Sequence, residues 1–184
     1  MSTLKESIDG YIKRTYRTVQ RNDRSYKETD EITVSELARL VIMYQECAEE
    51  NQTARLIRDS IDHWIRRYHD YSIRGSIGAH YKQAGIKKGN TVFEHVIPAR
   101  DIRDMLIQGV LSPRQALNAP TCLISKSDDT VLLKNGLAST TPSRWHFWDR
   151  YSVLNSQFST YNGTAISDPH NWTLEDHYNF FNIE

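Results

Sequence analysis

Residues 91–135, TVFEHVIPARDIRDMLIQGVLSPRQALNAPTCLISKSDDTVLLKN, decide the fold of the C-terminal half. At their head, Phe93-Glu94-His95-Val96-Ile97-Pro98 sets an acid beside a histidine at the end of a short strand-forming segment. The proline stops the strand and can open a helix at its first position. Ala116-Leu117-Asn118-Ala119-Pro120 then leads into a second apolar run, Thr121-Cys122-Leu123-Ile124-Ser125. Ser127 can cap a helix that runs to Asn135, with Gly136 suited to its left-handed end. The order is strand, loop, strand, helix, and the acid-histidine pair has the look of a site rather than of a core.

These residues resemble the ββα-metal core of the His-Me finger (HNH-type) endonucleases, over about a quarter of the chain. The resemblance rests on Glu94-His95-Val96-Ile97-Pro98, on an Asn before the second strand and on the polar-headed helix. It implies metal-dependent hydrolysis of nucleic-acid phosphodiester bonds, with His95 as general base and Asn118 orienting its ring. Glu94 is the implied first metal ligand, with Asp128 or Asp129 completing the site from the helix. The chemistry is consistent: a neutral imidazole takes a proton from water near neutral pH, and a hard cation held by carboxylates stabilises charge on the phosphate. Mg²⁺ or Mn²⁺ is the implied cofactor, and DNA is favoured over RNA as the partner. Asp128 and Asp129 also suit a helix N-terminus for dipole reasons alone.

Zinc is not expected. Cys47 and Cys122 lie far apart with no Cys-x-x-Cys pair, so they read as buried reduced thiols and the fold must hold by packing.

The chain has 184 residues, 25% charged and 39% hydrophobic, which suits an ordinary globular protein. No apolar run approaches the roughly 18 residues of a spanning helix and no signal-peptide core is evident, so a cytoplasmic protein without a membrane partner is expected. Net charge is zero but unevenly spread: residues 5–27 carry seven Lys/Arg against three acids, 28–50 one against seven, 51–103 ten against five and 104–184 five against eight. Zero net charge argues against indiscriminate coating of nucleic acid, whereas the basic block leading into Glu94-His95 is compatible with a local phosphate-facing surface.

Leu4, Ile8, Tyr11, Ile12, Tyr16 and Val19 predict an amphipathic helix over 3–20, and residues 21–33 read as a connection. A second helix over 34–50 carries Val34, Leu37, Leu40, Val41, Tyr44 and Cys47 on one face, with Thr33 and Glu36 as its entry pair. After Asn51, a third carries Ile57, Ile61, Trp64, Ile65 and Tyr68, and the short connection favours a helical hairpin. Residues 72–90 read as a glycine-rich basic loop. Pro98 to Gln108 predicts a helix ended by Gly109, and Ser112-Pro113 a short turn of helix to Leu117.

Thr141-Pro142 predicts a further helix with Trp145, Trp148, Tyr151 and Leu154, residues 155–171 an irregular loop, and Thr173 with Asp176 the entry to a last helix to Phe181. The expected fold is α+β and predominantly helical: an N-terminal helical region over 1–75, then a small ββα-metal-like unit with flanking helices over 76–184, the whole compatible with one compact domain. Candidate phosphate contacts are Arg66, Arg67, Lys87, Lys88, Lys126 and Arg150, against solvated or snorkelling cations as the plainer reading.

Two other functions fit the residues. One is a non-enzymatic helical binding or inhibitor protein, for which ten Tyr and four Trp supply interface material. The other is a degenerate ββα module that binds nucleic acid without cutting it. A homodimer is expected where the target is palindromic DNA.

Overall fold

A computed structural model describes residues 28–47, 51–70, 73, 78–87 and 89–184. The helix expected over 3–20 and the candidate Lys88 lie outside the described residues. The protein is α+β and predominantly helical, and its chain divides into two compact units, residues 1–78 with 102–118 and residues 79–101 with 119–184. Among the described residues no helix is long and apolar enough to cross a membrane.

In the helical unit, α1 (Glu28–Gln45) packs against α2 (Gln52–Tyr68). The expected start at Val34 is too late. Residues 28–33, the acidic end of the expected connection, are already helical, and Thr33 lies inside the helix, buried. Burial also explains the polar Asp30, whose carboxylate accepts a hydrogen bond from Tyr68 Oη at 3.2 Å.

Helix α2 opens as expected: the Asn51 side chain accepts from the Ala54 N–H at 3.0 Å. Ile57, Ile61, Trp64, Ile65 and Tyr68 form its buried stripe. Helix α3 (Ala99–Ile107) follows Pro98, and its residues from Ile102 onward belong to this unit. Helix α4 (Pro113–Leu117) has Pro at its first turn and a reciprocal cap between Ser112 and Gln115. The buried His69 ring bonds the Leu117 carbonyl at 2.9 Å.

The sheet unit holds β1 (Tyr81–Gln83), β2 (Thr91–His95), β3 (Thr121–Ser125) and β4 (Phe158–Thr160), in the spatial order β2-β3-β1-β4. Strands β2 and β3 are antiparallel, with Glu94 opposite Cys122 and His95 opposite Thr121. Strand β1 runs parallel to β3 and antiparallel to β4. Helix α5 (Lys126–Lys134) packs on β3 and β2, which completes a ββα arrangement.

The cap of α5 is Ser125 and not Ser127. The last strand residue is still extended, and its Oγ accepts from the Asp128 N–H at 3.1 Å, so strand and helix join without a loop. Strands β1 and β4, only three residues each, fall in segments expected to be loop.

The helix expected from Thr141 is instead a 3₁₀ turn, Phe147–Tyr151. Its tighter winding turns Phe147, Trp148, Arg150 and Tyr151 inward together. Helix α6 (Leu174–Phe181) begins at the expected Thr173 and Asp176, which cap each other. Tyr81 lies at the centre of the core, its ring 5.0 Å from Trp148, 5.6 Å from His177 and 5.7 Å from Phe181. Pairs of this kind contribute about 0.5–1.5 kcal/mol each beyond their buried area.

Candidate active site

Strand alternation sorts the side chains of β2 onto two faces. Glu94 leaves on one face, with Cys122 beside it across the ladder, while Phe93 and His95 leave on the other, their rings 5.8 Å apart edge to face. The acid and the histidine are neighbours in sequence that start from opposite sides of the strand.

On the Glu94 face, helix α5 brings the Asp129 carboxyl from its first turn close enough to raise the proton affinity of Glu94. Asp128 goes elsewhere: its Oδ2 accepts from Ser156 Oγ at 2.8 Å. Of the two helix carboxylates, Asp129 is therefore the one that meets Glu94. Glu94 on β2 and Asp129 in the first turn of α5 share this gap because Ser125 turns the chain straight from β3 into α5, which packs on β3 and on the neighbouring β2.

Arg150 closes the cluster from the 3₁₀ turn. Only 1% of its side chain is exposed against 14% for Glu94. Its Nη2 donates to Glu94 Oε2 at 2.6 Å and to the Ala138 carbonyl at 2.8 Å, and its Nη1 to the carbonyls of His95 at 2.5 Å and Val96 at 3.2 Å. The four terminal N–H groups thus bind the protein itself. The guanidinium, expected as a phosphate contact, is turned inward and ties the acid to the backbone at the end of β2.

Burial pushes the Glu94 carboxyl up to about 7, against the pull of Arg150 and with help from the neighbouring Asp129 charge. The two influences on Glu94 oppose each other, and burial wins because the ion pair sits where water cannot share it. Burial likewise pushes the Cys122 thiol and the Tyr151 phenol well above their usual values. Both are therefore neutral lining groups at physiological pH.

The other expected site residues are dispersed. Asn118 closes α4 in the helical unit, its amide donating to the Arg114 carbonyl at 3.0 Å. Arg66 pairs with Asp62 at 2.5 Å and Arg67 with Asp70 at 3.9 Å on that unit's surface. Lys87 and Lys126 are exposed in the sheet unit, Lys126 at the first position of α5.

Cys122, Tyr151 and Ser156, which neighbour the acids, were not expected. For Arg150 a signal existed: an arginine between Trp148 and Tyr151 in an aromatic run is placed for burial.

Among the described residues, no group of three or more His, Cys, Asp or Glu side chains is gathered to hold a metal ion. Mg²⁺ does not require such a cage, since it keeps several waters and takes one or two carboxylates together with substrate phosphate. Two neighbouring carboxyls supply the hard oxygen donors it takes. Comparison with known proteins finds no matching family model, no similar curated protein and no similar solved structure.

Proposed function

We propose that this protein hydrolyses nucleic-acid phosphodiester bonds with a divalent cation bound at Glu94 and Asp129. The observation that carries the reading is the proximity of the Glu94 carboxyl on β2 to Asp129 in the first turn of α5, which packs on that strand. When bound, Mg²⁺ or Mn²⁺ would stabilise the charge developing on the phosphate and the leaving oxygen.

Glu94 and Asp129 supply hard oxygen donors, and Arg150 fixes Glu94 through a buried ion pair. His95 is assigned the removal of a proton from the attacking water. The exposed Lys126 and Lys87 supply positive charge for the backbone of the bound strand, with DNA favoured over RNA.

Incubation with supercoiled plasmid, linear duplex, single-stranded DNA and RNA, in Mg²⁺, Mn²⁺ or EDTA, tests this reading. Metal-dependent cutting lost in both Asp129→Asn and His95→Ala supports it. Folded wild type that is inert on every substrate removes it.

A second reading is favoured by a specific observation. Strand alternation sends His95 and Glu94 to opposite faces, and Arg150 already engages Glu94 Oε2. Both suit a ββα module that binds nucleic acid without cutting it. Salt-dependent DNA binding without cleavage would select that reading.

A further inference from the structure

Strand β1 pairs with β3 through Tyr81 and Lys82, and after Gln83 the chain turns away, the Ala84 N–H going to the Gln157 carbonyl at 2.8 Å. The last N–H of β3, on Ser125, is met by the Gln83 side chain, whose Oε1 accepts it at 2.7 Å. A side chain thus continues the joint between the two strands where the ladder has ended.

This bond fixes the orientation of the amide, because a backbone N–H only donates and must meet the oxygen end. The nitrogen end, Nε2, donates to Ser156 Oγ at 3.1 Å. Ser156 passes its own hydrogen to Asp128 Oδ2 at 2.8 Å, and the Asp128 N–H returns to Ser125 Oγ at 3.1 Å. Ser125, Gln83, Ser156 and Asp128 therefore form a closed ring of hydrogen bonds in which every donor is defined. It joins β3, β1, the loop before β4 and the first turn of α5, and bonds linked in this way reinforce one another.

Neither carboxyl of the acid pair belongs to the ring, yet Asp129 is the next residue after it. Asp128 is held twice, by its main chain at the cap and by its carboxylate at Ser156, so the first turn of α5 is fixed about its axis and Asp129 keeps the face toward Glu94. Hydrogen bonds that orient a ligand from outside the metal's own shell typically govern affinity by about 10- to 100-fold.

Gln83 is the member whose chemistry the ring needs most. A methionine of similar length offers neither the acceptor for Ser125 nor the donor for Ser156, whereas an asparagine at 128 still accepts from Ser156 and leaves the ring closed.

We propose that Gln83 is a positioning residue: its amide holds the first turn of α5 in the setting that presents Asp129 to Glu94. The inference rests on the Glu94–Asp129 reading above and adds a residue outside the acid pair on which the site depends.

The test compares full-length wild type, Gln83→Met and Ser156→Ala, the last opening the ring at a second point should Gln83→Met fail to fold. Two readouts are taken: the ¹³C signal of the Asp129 carboxyl in EDTA at fixed pH, identified by its loss in Asp129→Asn, and Mn²⁺ affinity from the electron paramagnetic resonance of the free ion. Both variants are expected to move the Asp129 signal and to weaken Mn²⁺ binding about tenfold.

An Asp129 signal that stays in place in every folded variant overturns the proposal, whatever the loss of stability, and assigns Gln83 to the fold alone. Wild-type Mn²⁺ affinity in the variants overturns it too, while leaving the cation reading intact. A moved signal in a protein whose wild type binds no Mn²⁺ upholds the placement of Asp129 by Gln83 and removes the cation reading instead.

Discussion

In the helical unit, Arg66 pairs with Asp62 and Arg39 with Glu36, one helical turn apart on exposed surface. In the sheet unit, Arg150 is buried against Glu94 and the carbonyls that end β2. The same kind of ion pair thus does two different things. On the helices it is screened by water and neutralises local charge, with each pair contributing a few tenths of a kcal/mol. In the sheet unit it fixes one carboxylate beside a second, Asp129, in a setting dry enough to raise the proton affinity of Glu94. Burial separates charge that keeps a surface soluble from charge that can do chemistry.

The contrast breaks first at Arg150. Replacing it with Met strands the three carbonyls and the acid it binds, which costs about 3–5 kcal/mol for one partner of a buried pair. At 2–4 °C per kcal/mol for a chain of this size, thermal melting is expected to fall by roughly 10 °C. A loss under about 1 kcal/mol, typical of a surface change, would move Arg150 into the same class as Arg66.

Next in size is the pH dependence set by Glu94. Its folded value is raised from 4.5 to about 7, so between these values the folded protein holds a proton that the unfolded chain has released. Stability from this group is full below about 4.5, is lost as pH rises through about 7, and then levels off. The total change is on the order of 3 kcal/mol. Glu94→Gln is expected to flatten this part of a melting-temperature profile. An unchanged slope in the variant would assign it to another group. Cation binding runs the other way with pH, because it requires the deprotonated acid, so cutting is expected to rise through about pH 7.

A finer comparison sets Asp128 against its neighbour. Asp128→Asn disturbs the Ser156 hydrogen bond and is expected to cost about 1 kcal/mol in chemical denaturation while leaving cation affinity within twofold. A loss of cation affinity as large as that of Asp129→Asn would show that both carboxylates serve the cation. The smallest effect belongs to the helical surface: Arg66→Ala is expected to shift stability by about 0.3–0.5 kcal/mol, and a shift above about 1 kcal/mol would contradict its screened role.

Much of this architecture was legible where local signals agree. Strand β3 matches its apolar run residue for residue. Helix α4 has its Ser-Pro start, and Thr173 with Asp176 cap α6, each because a side chain three residues from its partner closes the first turn.

Legibility failed where tertiary contacts override local pattern. Tyr81-Lys82-Gln83 is too short to show a period and becomes a strand only because β3 and β4 pair with it on either side. The acidic start of α1 looked like a connection because Asp30 and Thr33 are polar, yet both are buried.

The candidate site was half legible. Glu94 and the first turn of α5 could be named from the order strand, loop, strand, helix, but the spacing of Asp128 and Asp129 is the same whichever of them turns inward. Tertiary contact settles it: Ser156 engages Asp128, and Asp129 is the one beside Glu94. The inward turn of Arg150 depends on the 3₁₀ winding of Phe147–Tyr151, which no helical periodicity announces.

The most direct test of the central claim is plasmid cleavage by wild type and Asp129→Asn, each with Mg²⁺, Mn²⁺ or EDTA. The Glu94–Asp129 account predicts that wild type cuts only with the cation and that Asp129→Asn is slower by about 100-fold or more, the scale of removing one charged group from a transition-state contact. Equal rates for a folded Asp129→Asn and wild type, or no cutting with either cation, would contradict it.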